Sequence, residues 1–208
     1  MYDPTDGRIL IDDRPLARIP ADRWRERLAG AFQDFVRFEF VARHTVGLGD
    51  LPQLEVEPAV AASVTRAGAT DVIEKLPAGL GTQLGPTWPG GVDVSFGQWQ
   101  KLALARGFMR EDPLVLVLDE PTAALDAETE HALFERYAAA ARKGGTAASS
   151  GNGRITVLVS HRFSTVRMAD LIVVLDGAHV VETGTHDQLM ATNGRYAELY
   201  RIQARSYQ

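Results

Sequence analysis

The sequence has 208 residues and no cysteine, which excludes disulfides, thiolate metal sites and cysteine nucleophiles. Lysine is almost as rare: only Lys75, Lys101 and Lys143 occur, and none of them follows a glycine. A phosphate-binding loop of the pattern G-x-x-x-x-G-K-[ST] is therefore excluded from this sequence. The longest aliphatic runs, 114–118 and 171–175, are far shorter than the roughly 20 residues of a membrane-spanning helix. The first residues show no secretory signal.

What is present is an ordinary globular composition, with 45% hydrophobic and 24% charged residues and enough apolar material for a core. The net charge is -5, and this negative balance argues against a broad nucleic-acid-binding face. We therefore expect no nucleic acid partner.

The order of the apolar runs predicts an α/β fold. Strands are expected at 28–32, 114–118 and 155–159, and the last two are continuously apolar, which is typical of parallel strands buried on both faces. The Ala-rich stretch 127–142 predicts a helix between them. Residues 144–153 are small and polar and predict a surface loop.

Residues 39–112 lack strand-like runs and predict a helical subdomain, with helices at 57–67 and 71–76. Residues 1–38 and 113–208 would then form the core that contains the sheet.

Hairpin signals lie near both ends of the chain. A short strand that runs into a turn is expected at 7–13, and an Asp176-Gly177 turn is expected to join strands 171–175 and 178–182. From Tyr196 onward, helical spacing predicts a terminal helix.

Polar residues follow each of the three central strands. Gln33 comes after the first, Asp119 and Glu120 after the second, and His161 after the third. Because the carboxyl ends of parallel strands meet at one edge of a sheet, where ligands bind, we expect these side chains to lie together. Asp then Glu after an apolar strand suits a hydrated Mg²⁺ beside a base that takes a proton from water. Asp126 has two open interpretations, a helix cap or a functional residue.

A second candidate is the head of a helix that begins near residue 96. Ser95 with Gln98 three residues later is a capping-box pattern, which predicts that Ser95 is the N-cap. The first backbone N–H groups of such a helix suit an anion. An ordinary capped helix explains the same spacing.

Together these residues resemble the nucleotide-binding domain of ABC transporters. Residues 118–126 resemble the Walker B strand and D-loop, 94–98 the signature motif, Gln33 the Q-loop glutamine and His161 the switch histidine. Further stretches, typical of the exporter branch, are 2–12, 163–170 and 194–200. The resemblance covers essentially the whole chain.

The resemblance implies a P-loop NTPase-like ATPase core with a helical subdomain, and ATP with Mg²⁺ as cofactors. Asp119 would hold Mg²⁺, Glu120 would polarise the attacking water, and His161 would contact the γ-phosphate. Gln33 would sense that phosphate and signal to the membrane domain.

In this family two domains pack head to tail, so each ATP lies between two subunits. The resemblance therefore implies that Ser95, Gly97 and Gln98 serve the ATP of a second nucleotide-binding domain, and that Asp126 links the two sites. The implied partners are that second domain and a transmembrane domain. The implied location is the cytoplasmic face of the plasma membrane.

Three departures qualify the resemblance. The N-terminal strands and the Walker A loop are missing, so we expect a domain fragment that is nearly inactive alone. The loss of a strand is expected to leave residues 114–118 with an underpaired edge. Phe96 replaces the first glycine of the signature pair and is expected to hinder close backbone approach to phosphate. Residues 144–153 resemble a harmless loop insertion.

Two alternatives remain open. The first is a binding module that offers Ser95 and Gly97 to the ATP of an intact subunit. The second is a serine hydrolase, because Ser95, Asp119 and His161 follow the chain order of α/β-hydrolases, although Asp93 stands where a nucleophile elbow needs glycine.

Overall fold

The structure, a computed structural model, describes residues 4–121 and 154–206. In chain order its strands are β1 Leu10–Ile11, β2 Arg14–Pro15, β3 Leu28–Ala31, β4 Val115–Asp119, β5 Ile155–Val159, β6 Ile172–Asp176 and β7 His179–Gly184. Its α-helices are α1 Ala21–Arg25, α2 Ala42–Gly47, α3 Glu57–Arg66, α4 Thr70–Glu74, α5 Phe96–Gly107, α6 Phe163–Val166, α7 His186–Thr192 and α8 Arg195–Ser206. The predicted helix 127–142, the loop 144–153 and Asp126 lie outside the described residues.

A three-stranded parallel sheet, in the order β3-β4-β5, forms the centre of the fold. Ala31 of β3 lies opposite Leu118 of β4, and Asp119 at the end of β4 lies opposite Val159 of β5. The predicted parallel sheet is confirmed. The expectation that residues 114–118 keep an underpaired edge is wrong, because β4 is hydrogen-bonded on both sides. Within the described part of the chain, the open edges belong to β3 and β5.

The apolar run of β5 is not buried on both faces, which corrects the prediction. Ile155, Val157 and Val159 are 57%, 42% and 50% exposed. These three residues share one face because side chains alternate along a strand. Leu158, on the other face, packs against the main hydrophobic cluster. The core therefore covers one face of β5.

The main core joins the sheet to the helices that lie between β3 and β4 in sequence. Ala31 and Leu118 belong to the same buried cluster as Leu102 and Leu104 of α5. Helix α5 approaches β3 closely: a Cβ atom at Gly107 would lie 2.6 Å from the Gly30 carbonyl oxygen. The predicted boundaries of the helical subdomain, at 39 and 112, stay a prediction.

The first terminal hairpin agrees with the sequence prediction, and the second differs from it in detail. In the stretch 7–13 a short strand runs into a turn, since Asp12 and Asp13 adopt left-handed conformations and turn β1 back onto β2. In the second hairpin Asp176 pairs with His179, so the two-residue loop is Gly177 and Ala178, with φ of 54° and 64°. Two positive φ values in succession give the turn whose twist matches that of the strands.

A smaller cluster packs α7 and α8 against β6. Its buried members are Ile172, Leu189 and Tyr196, with Phe163 partly buried beside them. The predicted terminal helix is confirmed as α8. In the described ranges, no helix is both long and apolar enough to span a membrane.

Candidate functional site

The carboxyl ends of β3, β4 and β5 bring the predicted polar residues to one edge of the sheet. Gln33 lies two residues beyond β3 and is exposed, Asp119 ends β4, and His161 lies two residues beyond β5. The parallel register places these three strand ends side by side. The sequence prediction that they share one edge is confirmed by this register.

Glu120 and His161 are in direct contact. The Glu120 Oε1 atom lies 2.7 Å from His161 Nδ1, with 25% of the glutamate side chain and 66% of the histidine side chain exposed. When the carboxylate accepts a hydrogen bond from Nδ1, Nε2 is the ring nitrogen left for another partner. A carboxylate that orients an imidazole in this way is suited to proton transfer at an attacking water.

The backbone fixes the direction of Glu120. Its φ of 42° is left-handed, and its N–H donates to the Val159 carbonyl at 2.9 Å. That hydrogen bond adds one step to the β4–β5 ladder beyond Asp119. Because β5 leads directly to His161, the ladder sets the spacing of the Glu120–His161 pair.

Asp119 is a candidate ligand for a magnesium ion. It is half-buried, between the fully buried Leu118 and the Glu120–His161 pair. Across residues 4–121 and 154–206, no three His, Cys, Asp or Glu side chains are grouped to hold a metal. Mg²⁺ is commonly held by one or two carboxylates together with substrate phosphates, so Asp119 fits this ion as a single protein ligand.

The head of α5 has the predicted capping box. The Gln98 N–H donates to Ser95 Oγ at 3.3 Å, and the Ser95 N–H donates to Gln98 Oε1 at 2.8 Å. The Gln98 side-chain carbonyl is therefore used within the helix. Ser95 is exposed and its hydroxyl accepts in the cap, so its proton is the part of the box that a phosphate oxygen could take.

Phe96 connects the head of α5 to the segment that follows Gln33. Its side chain is 54% exposed, its ring centroid lies 5.5 Å from that of Phe35, and the Arg37 guanidinium lies 5.4 Å from its ring centre. Both distances are in the range of favourable aromatic and cation–π contacts. The Phe96 side chain therefore packs against the segment that follows Gln33 and stays partly exposed.

The other end of α5 holds the same segment. The Arg106 guanidinium lies 4.7 Å from the ring centre of Phe38 and donates to the Val36 carbonyl at 3.2 Å. Burial lowers the pKa of Arg106. Sequence reasoning missed these contacts, because they depend on how α5 packs against a segment that is distant in sequence.

No hydrogen bond joins Ser95 to His161 among the residues that the structure describes. Ser95 bonds Gln98, and His161 contacts Glu120. The geometry therefore does not assemble a serine-histidine catalytic pair, and the hydrolase alternative gains no support.

Comparison with known proteins agrees with this architecture. The family model described as ABC transporter matches residues 1–123. An "ATP-dependent lipid A-core flippase" of Cupriavidus pinatubonensis is 40% identical over 203 residues, which are 97% of this chain and 32% of that protein. An "ABC multidrug transporter MDR2" of Trichophyton equinum is 38% identical over 204 residues, 98% of this chain and 14% of its own length.

A solved structure of a bacterial Atm1-family ABC exporter with ATP bound superimposes with a TM-score of 0.81. It is 33% identical, and the match covers 98% of this chain and 33% of that one. The chain belongs to the ABC transporter family and has the ATPase fold of its exporters. It spans about a third of the length of the flippases that it matches. ATP binding is a property of the family.

Proposed function

We propose that this chain is part of an ABC exporter and couples ATP hydrolysis to export across a membrane. It would supply the Walker B carboxylates Asp119 and Glu120 at the end of β4, and the signature residues at the start of α5. The observation that carries the proposal is the Glu120–His161 pair at the carboxyl edge of the sheet, directly after Asp119. The relatives differ in cargo, a lipid in one name and drugs in another, so the proposal extends to export and not to a cargo.

In the proposed site each strand end has its own task. Asp119 holds the magnesium ion, and Glu120 accepts a proton from the attacking water. His161 would donate a ring N–H to the γ-phosphate, and Gln33 would detect whether that phosphate is present. When bound, ATP and Mg²⁺ supply the transferable phosphoryl group and the charge that neutralises it.

Ser95 and Gly97 are proposed to face the ATP of a second nucleotide-binding domain in a head-to-tail dimer. Ser95 is exposed at the start of a helix of 12 residues, where the first backbone N–H groups favour an anion. Gln98 supports that role through the capping box, and Asp126 is proposed to link the two sites. The further proposed partner is a transmembrane domain, with this chain on the cytoplasmic face of the plasma membrane.

The residues present fit part of an ATP site. The carboxylates and the histidine fit Mg²⁺ and the terminal phosphate, whereas the sequence contains no G-x-x-x-x-G-K-[ST] loop to enclose the other phosphates. Phosphoryl transfer depends mainly on positioning and charge stabilisation, so we expect the purified chain to hydrolyse ATP only marginally. A steady-state ATPase assay tests this, and hydrolysis at the rate of a complete domain would contradict it.

A second candidate function is that of a partner module that completes the ATP site of another subunit. The intact capping box at the head of α5 favours it, since this half of a shared site does not need a phosphate loop in the same chain. In a mixture with a phosphate-loop-containing subunit, Ser95→Asp should keep the helix cap and place a negative charge against phosphate. We expect it to lower the ATPase rate of the partner.

The control is Thr185→Ala, which removes the capping box of α7. Losing a cap costs about 0.5–2 kcal/mol of stability, which is more than the cap-keeping Ser95→Asp should cost, so an unchanged partner rate with Thr185→Ala separates folding from phosphate contact. If Ser95→Asp leaves the partner's rate unchanged, the module function is wrong.

A further inference from the structure

The side-chain amide of Gln203, on α8, bridges two backbone groups on either side of Arg162. Its Nε2 donates to the His161 carbonyl at 3.0 Å, and its Oε1 accepts the Phe163 N–H at 3.1 Å. The orientation of the amide is determined by these partners, because a carbonyl only accepts and an N–H only donates. One glutamine therefore holds the chain immediately after His161.

Helix α8 is itself fixed where it meets this turn. The Phe163 ring packs edge-on against Tyr196 and Tyr200, with both centroid distances at 5.3 Å. The Tyr196 hydroxyl lies 2.8 Å from His186 Nδ1, which ties α8 to α7. At the start of α8, the Glu182 carboxylate accepts the Arg195 and Tyr196 N–H groups at 2.9 Å and 2.8 Å.

His161 needs support of this kind because its own side chain is largely exposed. With 66% of that side chain open to solvent, packing contributes little to its position. The preceding strand β5 ends at Val159, and the local turn is closed by the Arg162 N–H, which donates to Ser160 Oγ at 3.0 Å. From outside this turn, Gln203 holds the His161 carbonyl.

We propose that Gln203 is a positioning residue that sets the backbone at His161, and through it the contact between His161 and Glu120. Its importance for catalysis rests on the proposed function, whereas the positioning itself does not. The carboxyl-terminal helix thereby becomes part of the nucleotide site, although none of its residues is expected to touch nucleotide.

The test uses two substitutions that separate the two hydrogen bonds. Gln203→Glu keeps an acceptor for the Phe163 N–H and removes the donor to the His161 carbonyl. Gln203→Leu removes both. The control is Arg201→Leu, an exposed position on the same helix. All are made in the 208-residue chain, and NMR records the His161 ring resonances, the Phe163 amide and the nuclear Overhauser contact between Glu120 and His161.

We expect Gln203→Glu to shift the His161 ring resonances and weaken the Glu120–His161 contact, with the Phe163 amide near its original position. Gln203→Leu should move both sets of signals, and Arg201→Leu neither. If the His161 resonances stay in place in Gln203→Glu, or move as far in Arg201→Leu, the proposal is wrong. If Gln203→Leu does not fold, Gln203→Glu alone decides. No nucleotide is added, so a failure of ATP binding is a separate result.

Discussion

At the scale of single residues, Glu120 combines a strained backbone with the carboxylate that we propose as the base. A left-handed conformation costs a residue other than glycine roughly 1–2 kcal/mol, and Glu120 has a φ of 42°. The hydrogen bond from its N–H to Val159 helps to hold this conformation. Strain of this kind, next to a histidine contact, is typical of functional sites.

The proposed base role predicts the effect of Glu120→Gln. This substitution keeps the length of the side chain and removes the carboxylate that accepts a proton. In a transporter that contains this domain, we expect ATP hydrolysis to fall by about 10²–10⁴-fold, the usual range for a general base. ATP affinity should change little, as equilibrium binding would show. The control is Glu26→Gln, which changes only an exposed carboxylate whose ion pair with Arg23 is 3.9 Å long. An unaltered rate in Glu120→Gln would remove the assignment.

Tyr196 predicts a stability change at alkaline pH. Burial raises its pKa above 10.0, with a smaller raising effect of Tyr200 and an opposing effect of Arg167. The folded state thus holds the phenol proton more tightly than the unfolded chain, so stability is complete below pH 10.0 and falls as the pH rises through the higher folded pKa. Urea unfolding between about pH 9 and pH 11 should show this decline.

The matched variant is Tyr196→Phe, which keeps the ring and removes the titrating group. It should lose about 1 kcal/mol at neutral pH with the hydrogen bond to His186, and its alkaline decline should be shallower. An identical slope in the two proteins would show that Tyr196 is not the titrating group.

At the scale of elements, the position of α5 depends on two glycines. Gly107 and Gly30 let the helix lie directly on β3, since a Cβ at Gly107 would lie 2.6 Å from the Gly30 carbonyl oxygen. We expect Gly107→Ala to lower the free energy of unfolding by about 1–3 kcal/mol, the usual cost of overpacking. Gly81→Ala is the control, because its new methyl would meet only the Ala78 side chain, at 3.9 Å. Thermal unfolding compares the two variants. Equal stability would mean that α5 can move away from β3 without a cost in stability.

Elements with a local cause were predictable from the sequence, and those with a tertiary cause were not. The capping box predicted the start of α5, and the apolar runs predicted β4 and β5, because both signals depend on neighbours in the chain. The Asp176-Gly177 pair predicted a hairpin loop one residue too early, because Asp176 pairs with His179 and the loop is Gly177 and Ala178. The exposed face of β5 was missed, because a run of apolar residues does not show how many faces the core covers.

The same distinction applies to the site. Strand ends predicted that Gln33, Asp119 and His161 lie together, because parallel topology requires it. The contacts of Phe96 and Gln203 depend on how segments distant in sequence pack together. The sequence near these two residues therefore did not predict them. The functional roles of the site residues remain proposals.

At the scale of the whole molecule, the described part of the sheet ends on an apolar strand. Strand β5 has no second strand partner among the described residues, and Ile155, Val157 and Val159 are exposed on one face. An exposed apolar edge strand favours pairing with another chain. We therefore expect the isolated chain to self-associate as its concentration rises, as measured by sedimentation velocity.

Val157→Lys should weaken that association, because a charge on the edge strand opposes pairing. Leu51→Lys is the control, since Leu51 is 66% exposed in the short 3₁₀ helix Leu51–Gln53 between α2 and α3. Equal loss of association in both variants would locate the contact elsewhere.

The strand order also predicts an order of folding. Strand β3 precedes the helices α2 to α5 in sequence, and its partner β4 follows them, so their pairing closes a loop that contains all four helices. Contacts between distant segments form slowly because the entropy of loop closure must be overcome first. We expect pulsed hydrogen exchange during refolding to protect amides of α3 and α5 before those of Leu116 and Leu118. Earlier protection of β4 would contradict this order. The strand ends that carry the candidate site would then meet only in the last stage of folding. A partly folded chain would have its helices but would not yet have the carboxyl ends of β3, β4 and β5 side by side.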